Sequence, residues 1–385
     1  MFCSRTCRLE TIRHRSHPLV DPTRPYHSIK NPPNVATPVN PAYGLAFLQN
    51  VALANALDII PMLEWNARYG IRFMRLSSDM FPYASHETLH YDLGFASHVL
   101  AAAGRVAAEL DHRVTTHPGQ YTQLASPRVK VVRASIRDLV YHDQMLTLMS
   151  LPDQLDRDAV MVIHMGGTFG DKPATLNRFV KVYETLNESI KKRLVLENDD
   201  VGWSVLDLLP ICERLNIPLV LDWHHHTIIY DESMSGTHEE LILLLPRIAR
   251  TWERKGITQK QHYSEPAIMH LSDGSLAPRT RRRKHSARVR GLPPWRSSDV
   301  PVDLCIEAKD KEQAVFELMR RFEGEGWAWH DVKEVKPHVC RLEGDIDRRV
   351  FWPEGKEDWL KHRKRKVNIE EEEEKEEEKE EEKKE

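Results

Sequence analysis

Six short strand-like runs in this chain each stop on a side chain that binds metals. Val-Thr-Thr stops at His117, Ala-Val-Met-Val-Ile at His164, Leu-Val-Leu at Glu197 and Pro-Leu-Val-Leu at Asp222. Gln-Lys-Gln then reaches His262, and Val-Asp-Leu-Cys-Ile reaches Glu307. Breakers such as Pro118, Gly166 and Asn198 follow, and then a helical pattern resumes. Repeated strand-turn-helix units predict a parallel α/β fold of the TIM-type (β/α) barrel, in which all strand ends open on one face. Any one such residue has an ordinary explanation, as a helix cap or a satisfied core histidine. Six at the same end of successive strands are hard to produce by chance.

Strands are expected at 71–76, 113–116, 159–163, 193–196, 218–221, 258–262 and 302–306, with helices at 87–110, 128–149, 173–191, 204–215, 238–254 and 311–322. A further helical pattern runs from about Asn50 to Tyr69 and stops at Gly70. A closed barrel of this kind wants about eight strands, and only seven are legible. The best candidate for the eighth is Tyr43 to Leu48 (YGLAFL), a poor strand. An open seven-stranded barrel would leave two unpaired edges and an exposed core seam. Residues 1–49 are Pro- and His-rich and read as irregular; 50–345 form one barrel domain with an insertion at 263–300; 346–385 are a basic then Glu/Lys-rich low-complexity tail.

The chain is 385 residues with 41% hydrophobic content, enough for one large core plus extensions. No apolar run is read as reaching the ~20 residues of a membrane span, and the basic N-terminus lacks the apolar stretch of a secretory signal. Cys212 and Cys305 read as buried free thiols, and Cys3 and Cys7 lack a second pair at zinc-site spacing, which suits a reducing compartment. The net charge of −3 hides an asymmetry. Residues 370–385 hold twelve Glu and four Lys, a net of −8, which leaves +5 on the rest as the difference between −3 and −8. The basic clusters are Arg279 to Lys284 (RTRRRK) and Lys361 to Lys366 (KHRKRK). Each is a solvated loop, a nuclear address or a phosphate contact. The second favours a nuclear address, with a mitochondrial presequence as the alternative destination.

The three histidines, two glutamates and one aspartate suit a multinuclear site for divalent ions, since imidazole with carboxylate favours Mn, Zn or Fe over all-oxygen ions. Glu197 and Asp222 each have two oxygens and could bridge. Of His224, His225 and His226, not all can point inward, and the run alone does not choose. Such a cluster lowers the pKa of bound water and clamps a phosphodiester. The turns His117-Pro-Gly-Gln-Tyr121 and His164-Met-Gly-Gly-Thr168 would let a phosphate approach backbone. Gln120 and Tyr121 offer an amide and an aromatic face suited to bases.

Long ordered segments resemble the ultraviolet damage endonuclease family, particularly its fungal members. They are FCSRTCR (2–8), EWNARYGIRFMRLSSDMFPYASH (64–86), TTHPGQYTQLASPR (115–128), DRDAVMVIHMGGTFGDK (156–172), RLVLENDDVGWSV (193–205), IPLVLDWHHH (217–226), WERKGITQKQHYSEP (252–266) and DLCIEAKDKEQAVFELMR (303–320). The resemblance implies a metal-dependent TIM-barrel enzyme that nicks DNA 5′ of pyrimidine dimers and 6-4 products, leaving 3′-hydroxyl and 5′-phosphate ends. It implies up to three divalent ions, typically Mn2+, with Zn2+ or Mg2+ as alternatives. The ligands by resemblance are His117, His164, Glu197, Asp222, His225, His262, His285 and Glu307. Glu197, Lys260 and His86 take catalytic roles, Lys260 matching a lysine that can be carboxylated. Gln120 and Tyr121 match a pair that wedges into DNA at the lesion, with the damaged nucleotides flipped out. The partner implied is ultraviolet-damaged double-stranded DNA, the protein acting as a monomer with no membrane.

The family's first strand, of the form RLGxxxxN, would precede the FCSRTCR segment, and it does not appear here. Residues 12–49 also depart from the family's helix-rich lead-in. A truncated, mis-spliced or mis-started product is the expectation that follows. Two other functions share the ligand pattern: a damage-binding remnant without catalysis, and a metal-dependent sugar isomerase on the same barrel. The basic insertion at 279–290 and the Gln-Tyr pair suit a polyanion better than a small polyol.

Overall fold

Seven parallel strands pair strictly in chain order: β1 (Phe73–Leu76), β2 (Arg113–Thr116), β3 (Met161–His164), β4 (Leu194–Glu197), β5 (Leu219–Asp222), β6 (Gln259–Tyr263) and β7 (Val302–Ile306). They curl into a nearly closed barrel. The structure is a computed structural model and describes residues 40–294, 302–322, 332–335 and 350–353. The barrel, its strand order and its parallel pairing agree with the sequence reading. β3, β4 and β5 are unbroken apolar runs because both faces are covered, one by barrel interior and one by helices. Local signals set the helix ends. Ser204 and Asp207 form a capping box that starts the helix Val205–Leu215, and Asn216 in the left-handed region (φ 54°) stops it before β5.

The strand proposed at 43–48 is instead part of a helix, Pro41–Leu57, followed at once by a second, Ile59–Arg68. The residues 41–49 assigned to an irregular segment are therefore helical. Tyr43-Gly-Leu-Ala-Phe-Leu48 lacks β-branched residues, and the Ala- and Leu-rich sequence that follows favours helix propagation. The stretch Gly44–Arg68 is also long and apolar enough, at a mean hydropathy of 1.4, to cross a membrane, which corrects the reading that no such run exists. Here Ala52, Ala56, Ile59, Met62 and Leu63 lie in the protein core. Residues 1–39, with the FCSRTCR segment and the expected chain start, and the Glu/Lys tail lie outside the described residues. Val332–Val335 pairs antiparallel with Val350–Pro353, so a strand pair crosses the boundary drawn at 345.

Among the described residues β7 and β1 do not pair, yet the seam is covered. Outside, Phe316 of the helix Glu312–Arg321 meets Trp65 and Tyr69, with ring centroids 5.9 and 6.0 Å apart. Inside, Arg75 of β1 donates to Glu307 just beyond β7 at 2.6 Å. At the opposite end, Arg113 of β2 reaches across the barrel floor. Its Nε donates to the Asp158 carbonyl (2.8 Å), and its Nη1 to the Thr258 carbonyl (3.0 Å) and to Asp303 of β7 (2.7 Å). Met74, Leu76 and Ile306 at the two edges stay buried, so the expected exposed seam does not occur.

One buried acid in this region carries a pH signature. Glu312 is buried with Oε2 lacking a hydrogen-bond partner, and burial pushes its carboxyl from 4.5 up to about 8. A raised carboxyl favours the folded state below the unfolded value, and that advantage is lost as pH rises from 4.5 through about 8. Glu312→Gln is therefore expected to match wild type at pH 4 and to gain on the order of a few kcal/mol relative to it by pH 8. Parallel thermal melts across this range check it; a constant difference at every pH rules it out.

Candidate metal centre

The pleat sorts the barrel interior into layers. Arg113 and Asp303 form the floor. Phe73, Lys260 and Cys305 lie in the middle, with the Lys260 ammonium 5.4 Å from the Phe73 ring centroid. The next inward positions, one pleat on, are the strand-end ligands. Register brings His164 beside Glu197 and Asp222 beside His262.

Glu197 sits at the centre, 1% exposed. Its Oε2 lies 2.9 Å from His117 Nε2 and 3.3 Å from His164 Nε2. Its Oε1 lies 2.8 Å from His262 Nδ1 and 3.6 Å from His225 Nδ1. Three groups bring their ligand atoms within 4.8 Å of one another: His117–Glu197–His262, His164–Glu197–His225 and His262–Cys305–Glu307. Asp222 accepts from the His225 backbone N–H through one oxygen (2.7 Å), while its Oδ2 is buried with no hydrogen-bond partner. An orphaned carboxylate oxygen beside a cage of imidazoles is costly unless a cation takes it. The residues thus fit a divalent ion.

Protonation states support that fit. Burial would raise the Glu197 carboxyl, but His262 and His164 outweigh it and hold it well below the usual range. Burial likewise opposes Glu307 ionisation, and Arg75 overcomes it. Burial pushes His262 down to about 4 and lowers His117 against the pull of Glu197. Ionised carboxylates and neutral imidazoles are the forms that bind metal. The other half of the cluster leans the opposite way. Burial and the like charge of Glu197 push Asp222 up to about 7. His225 rises to about 9 because Asp222 and Glu197 overcome its burial.

The residues named from sequence distribute unevenly. His285 flanks the cluster, with Nδ1 3.9 Å from Glu307 Oε2. Of the histidine triplet, His225 faces Glu197, His224 is buried against the His285 ring, and His226 bonds Glu240 (2.9 Å). Lys260 is fully buried, contacts His262 Nε2, and is lowered by burial to about 8. His86 stands apart: it is exposed, and its Nδ1 takes the backbone N–H groups of Thr88 and Leu89 (both 3.2 Å). Gln120 is exposed on the wall of the cavity, and Tyr121 is exposed next to it. Sequence reading passed over Arg75 and the ligand-forming position of Cys305. A charged residue inside the apolar run Phe-Met-Arg-Leu was the available signal for Arg75.

The cluster forms the floor of an open cavity of about 850 Å³. Its rim includes Ser77, Asp79, Gln120, Asp200, Thr280, Arg283 and Lys284. Thr280, Arg283, Lys284 and His285 of the described part of the insertion, 263–294, line one side, and the basic cluster there divides in two. Arg282 is buried and donates to the Thr227 carbonyl (2.6 Å), and Arg283 pairs with Asp200 (2.6 Å). Arg279, Arg281 and Lys284 are exposed.

Residues 1–339 match the family model described as UV-endonuclease UvdE. The chain is 49% identical to the UV-damage endonuclease of Neurospora crassa over 95% of its own length and 63% of that protein. It is 47% identical to the UV-damage endonuclease of Schizosaccharomyces pombe over 97% of its length and 56% of that protein. It therefore spans less than two thirds of these two fungal relatives. Its fold is similar to the crystal structure of SacUVDE, with a TM-score of 0.57 and 30% identity over 75% of this chain and 88% of the other.

Proposed function

This chain belongs to the UV-endonuclease UvdE family, and on that footing we propose that it is a metal-dependent DNA repair endonuclease. It hydrolyses the phosphodiester 5′ of ultraviolet photoproducts and leaves 3′-hydroxyl and 5′-phosphate ends. The observation that carries this reading is Glu197, shared between His117, His164 and His262 at the bottom of an open cavity of about 850 Å³.

The ligand set is His117, His164, Glu197, Asp222, His225, His262, His285 and Glu307, with Mn2+ as the preferred ion. Bound divalent ions supply charge for a scissile phosphate and acidify water. The chain's own residues do the rest. Arg75 holds Glu307 in place by a 2.6 Å hydrogen bond. The Asn198 carbonyl, 2.8 Å from His225 Nδ1, orients that imidazole. Lys260, whose ammonium burial lowers to about 8, gives up its proton beside His262 more readily than a free lysine does. His86 faces solvent beyond the cavity wall, where a bound duplex would reach it. Gln120 and Tyr121 meet bases at the lesion, and the damaged nucleotides leave the stack, at least cost where pairing is already weakened. The protein acts on double-stranded DNA as a monomer, and the Lys361–Lys366 run directs it to the nucleus.

Ultraviolet-irradiated supercoiled plasmid with Mn2+ tests this reading. The proposed enzyme nicks irradiated and not untreated plasmid, and chelation stops it. A damage-binding remnant shifts irradiated DNA without nicking, and a sugar isomerase does neither. A second measurement concerns the exposed cations. Neutralising Arg279, Arg281 and Lys284 together is expected to flatten the log–log salt dependence of DNA binding by up to about 2 to 3 units. An unchanged slope assigns them to a solvated loop. Arg282 and Arg283 are excluded because both already serve the protein.

A further inference from the structure

The turn carrying Gln120 and Tyr121 is tied to a buried acid on the helix behind it. Asp138 lies within the helix Val129–Leu148 and is fully buried. One of its oxygens accepts the Tyr121 hydroxyl at 2.6 Å, and the other accepts the Thr122 hydroxyl at 2.8 Å. One turn earlier on the same helix, Ser135 Oγ accepts the Gln123 backbone N–H at 2.7 Å. The turn closes on itself through the Thr122 N–H and the Gly119 carbonyl (2.9 Å). Gly119 has no side chain to hold the ring off. A Cβ there would stand 2.8 Å from Tyr121 Cε1.

Asp is a poor helix former, and a buried carboxyl is costly unless its oxygens are satisfied. Here both oxygens are spent on consecutive residues of one exposed turn. Tyr121 is 54% exposed, so its ring faces solvent while its hydroxyl is anchored inward. An anchored ring loses less freedom on binding than a loose one.

We propose that Asp138 is the positioning residue for the DNA-contacting turn: it holds Tyr121 in its binding orientation before the duplex arrives. This rests on the reading that Tyr121 touches damaged DNA. Asp138 itself does not line the cavity and touches neither the metal ligands nor the reacting phosphate.

A double-mutant cycle on the full chain tests it, read as Kd for an irradiated and an untreated duplex in EDTA. Asp138→Ala and Tyr121→Phe each delete the hydrogen bond between the two side chains, Asp138→Ala together with the Thr122 contact. Each is expected to weaken binding of irradiated duplex by about two- to tenfold, the cost of ordering one released side chain on binding. The double variant should be no weaker than Asp138→Ala alone. At saturating irradiated DNA with Mn2+, nicking should keep its maximal rate while KM rises. Multiplying effects in the double variant overturn the proposal, because Asp138 then acts by a route other than Tyr121. So does unchanged binding in Tyr121→Phe, a surface change that leaves the fold intact even where Asp138→Ala melts early. Tyr121→Ala separates the two levels. Weakened binding in Tyr121→Ala with no effect of Tyr121→Phe rejects the anchor alone, whereas unchanged binding in Tyr121→Ala rejects the DNA contact and the anchor with it.

Discussion

Glu197→Gln is expected to abolish nicking of irradiated DNA, by about a thousandfold or more. That exceeds the 10- to 100-fold loss typical of a residue that merely supports a metal ligand. The carboxylate serves two of the three potential ligand groups at once, His117–Glu197–His262 and His164–Glu197–His225. Glutamine keeps the volume but turns one oxygen into an N–H donor aimed at an imidazole. Both of these groups lose their anion, and the metal content of the purified protein should fall with the activity. Affinity for irradiated duplex in EDTA should survive, since Gln120, Tyr121 and the exposed cations are untouched. Measured together, nicking rate, bound metal and Kd separate loss of chemistry from loss of fold. Wild-type nicking by this variant sinks the proposed centre.

Arg113→Met should destabilise the fold severely. The guanidinium is 4% exposed and joins β2 to the carbonyls of Asp158 and Thr258 and to Asp303. Removing one partner of a buried pair costs about 3 to 5 kcal/mol, and Asp303, partly exposed, recovers some hydration afterwards. A loss of about 3 kcal/mol corresponds to a fall in Tm of roughly 5 °C in a domain of this size. The effect should be large because β7 and β1 do not pair among the described residues. Without that pairing, side-chain struts across the barrel carry a task that backbone hydrogen bonds usually perform. Denaturant melts check it, and a change within about 0.5 kcal/mol, as for an ordinary surface site, would show that the floor contact is idle.

Much of this architecture was legible because it is written in local chemistry. Short runs that end on a ligand located six of the seven strands, and the caps at Ser204, Asp171 and Asn216 that set helix limits are local in the chain as well. The helix Pro41–Leu57 was misread for a physical reason. It is apolar on all sides, so it lacks the alternation of polar and apolar faces that identifies a surface helix. The site was legible in type but not in geometry. Strand-end position predicts that His117, His164, Glu197, His262 and Glu307 share a face. It does not choose His225 from the triplet, and it does not show His86 capping its own turn. The basic cluster RTRRRK reads as one patch, yet Arg282 and Arg283 are consumed by a carbonyl and a carboxylate brought from other loops.

By itself, then, the amino-acid sequence determined the strand-helix repeat, the ligand at each strand end and the family. Each of these follows from residues close together along the chain, where propensity, capping and pleat operate. Tertiary structure alone decided how Glu197 is shared among histidines from three other strands, how Arg113 and Arg75 bridge an unpaired seam, and how Asp138 anchors Tyr121. Those contacts join residues 17 to 232 positions apart, and no local rule specifies a distance across a barrel.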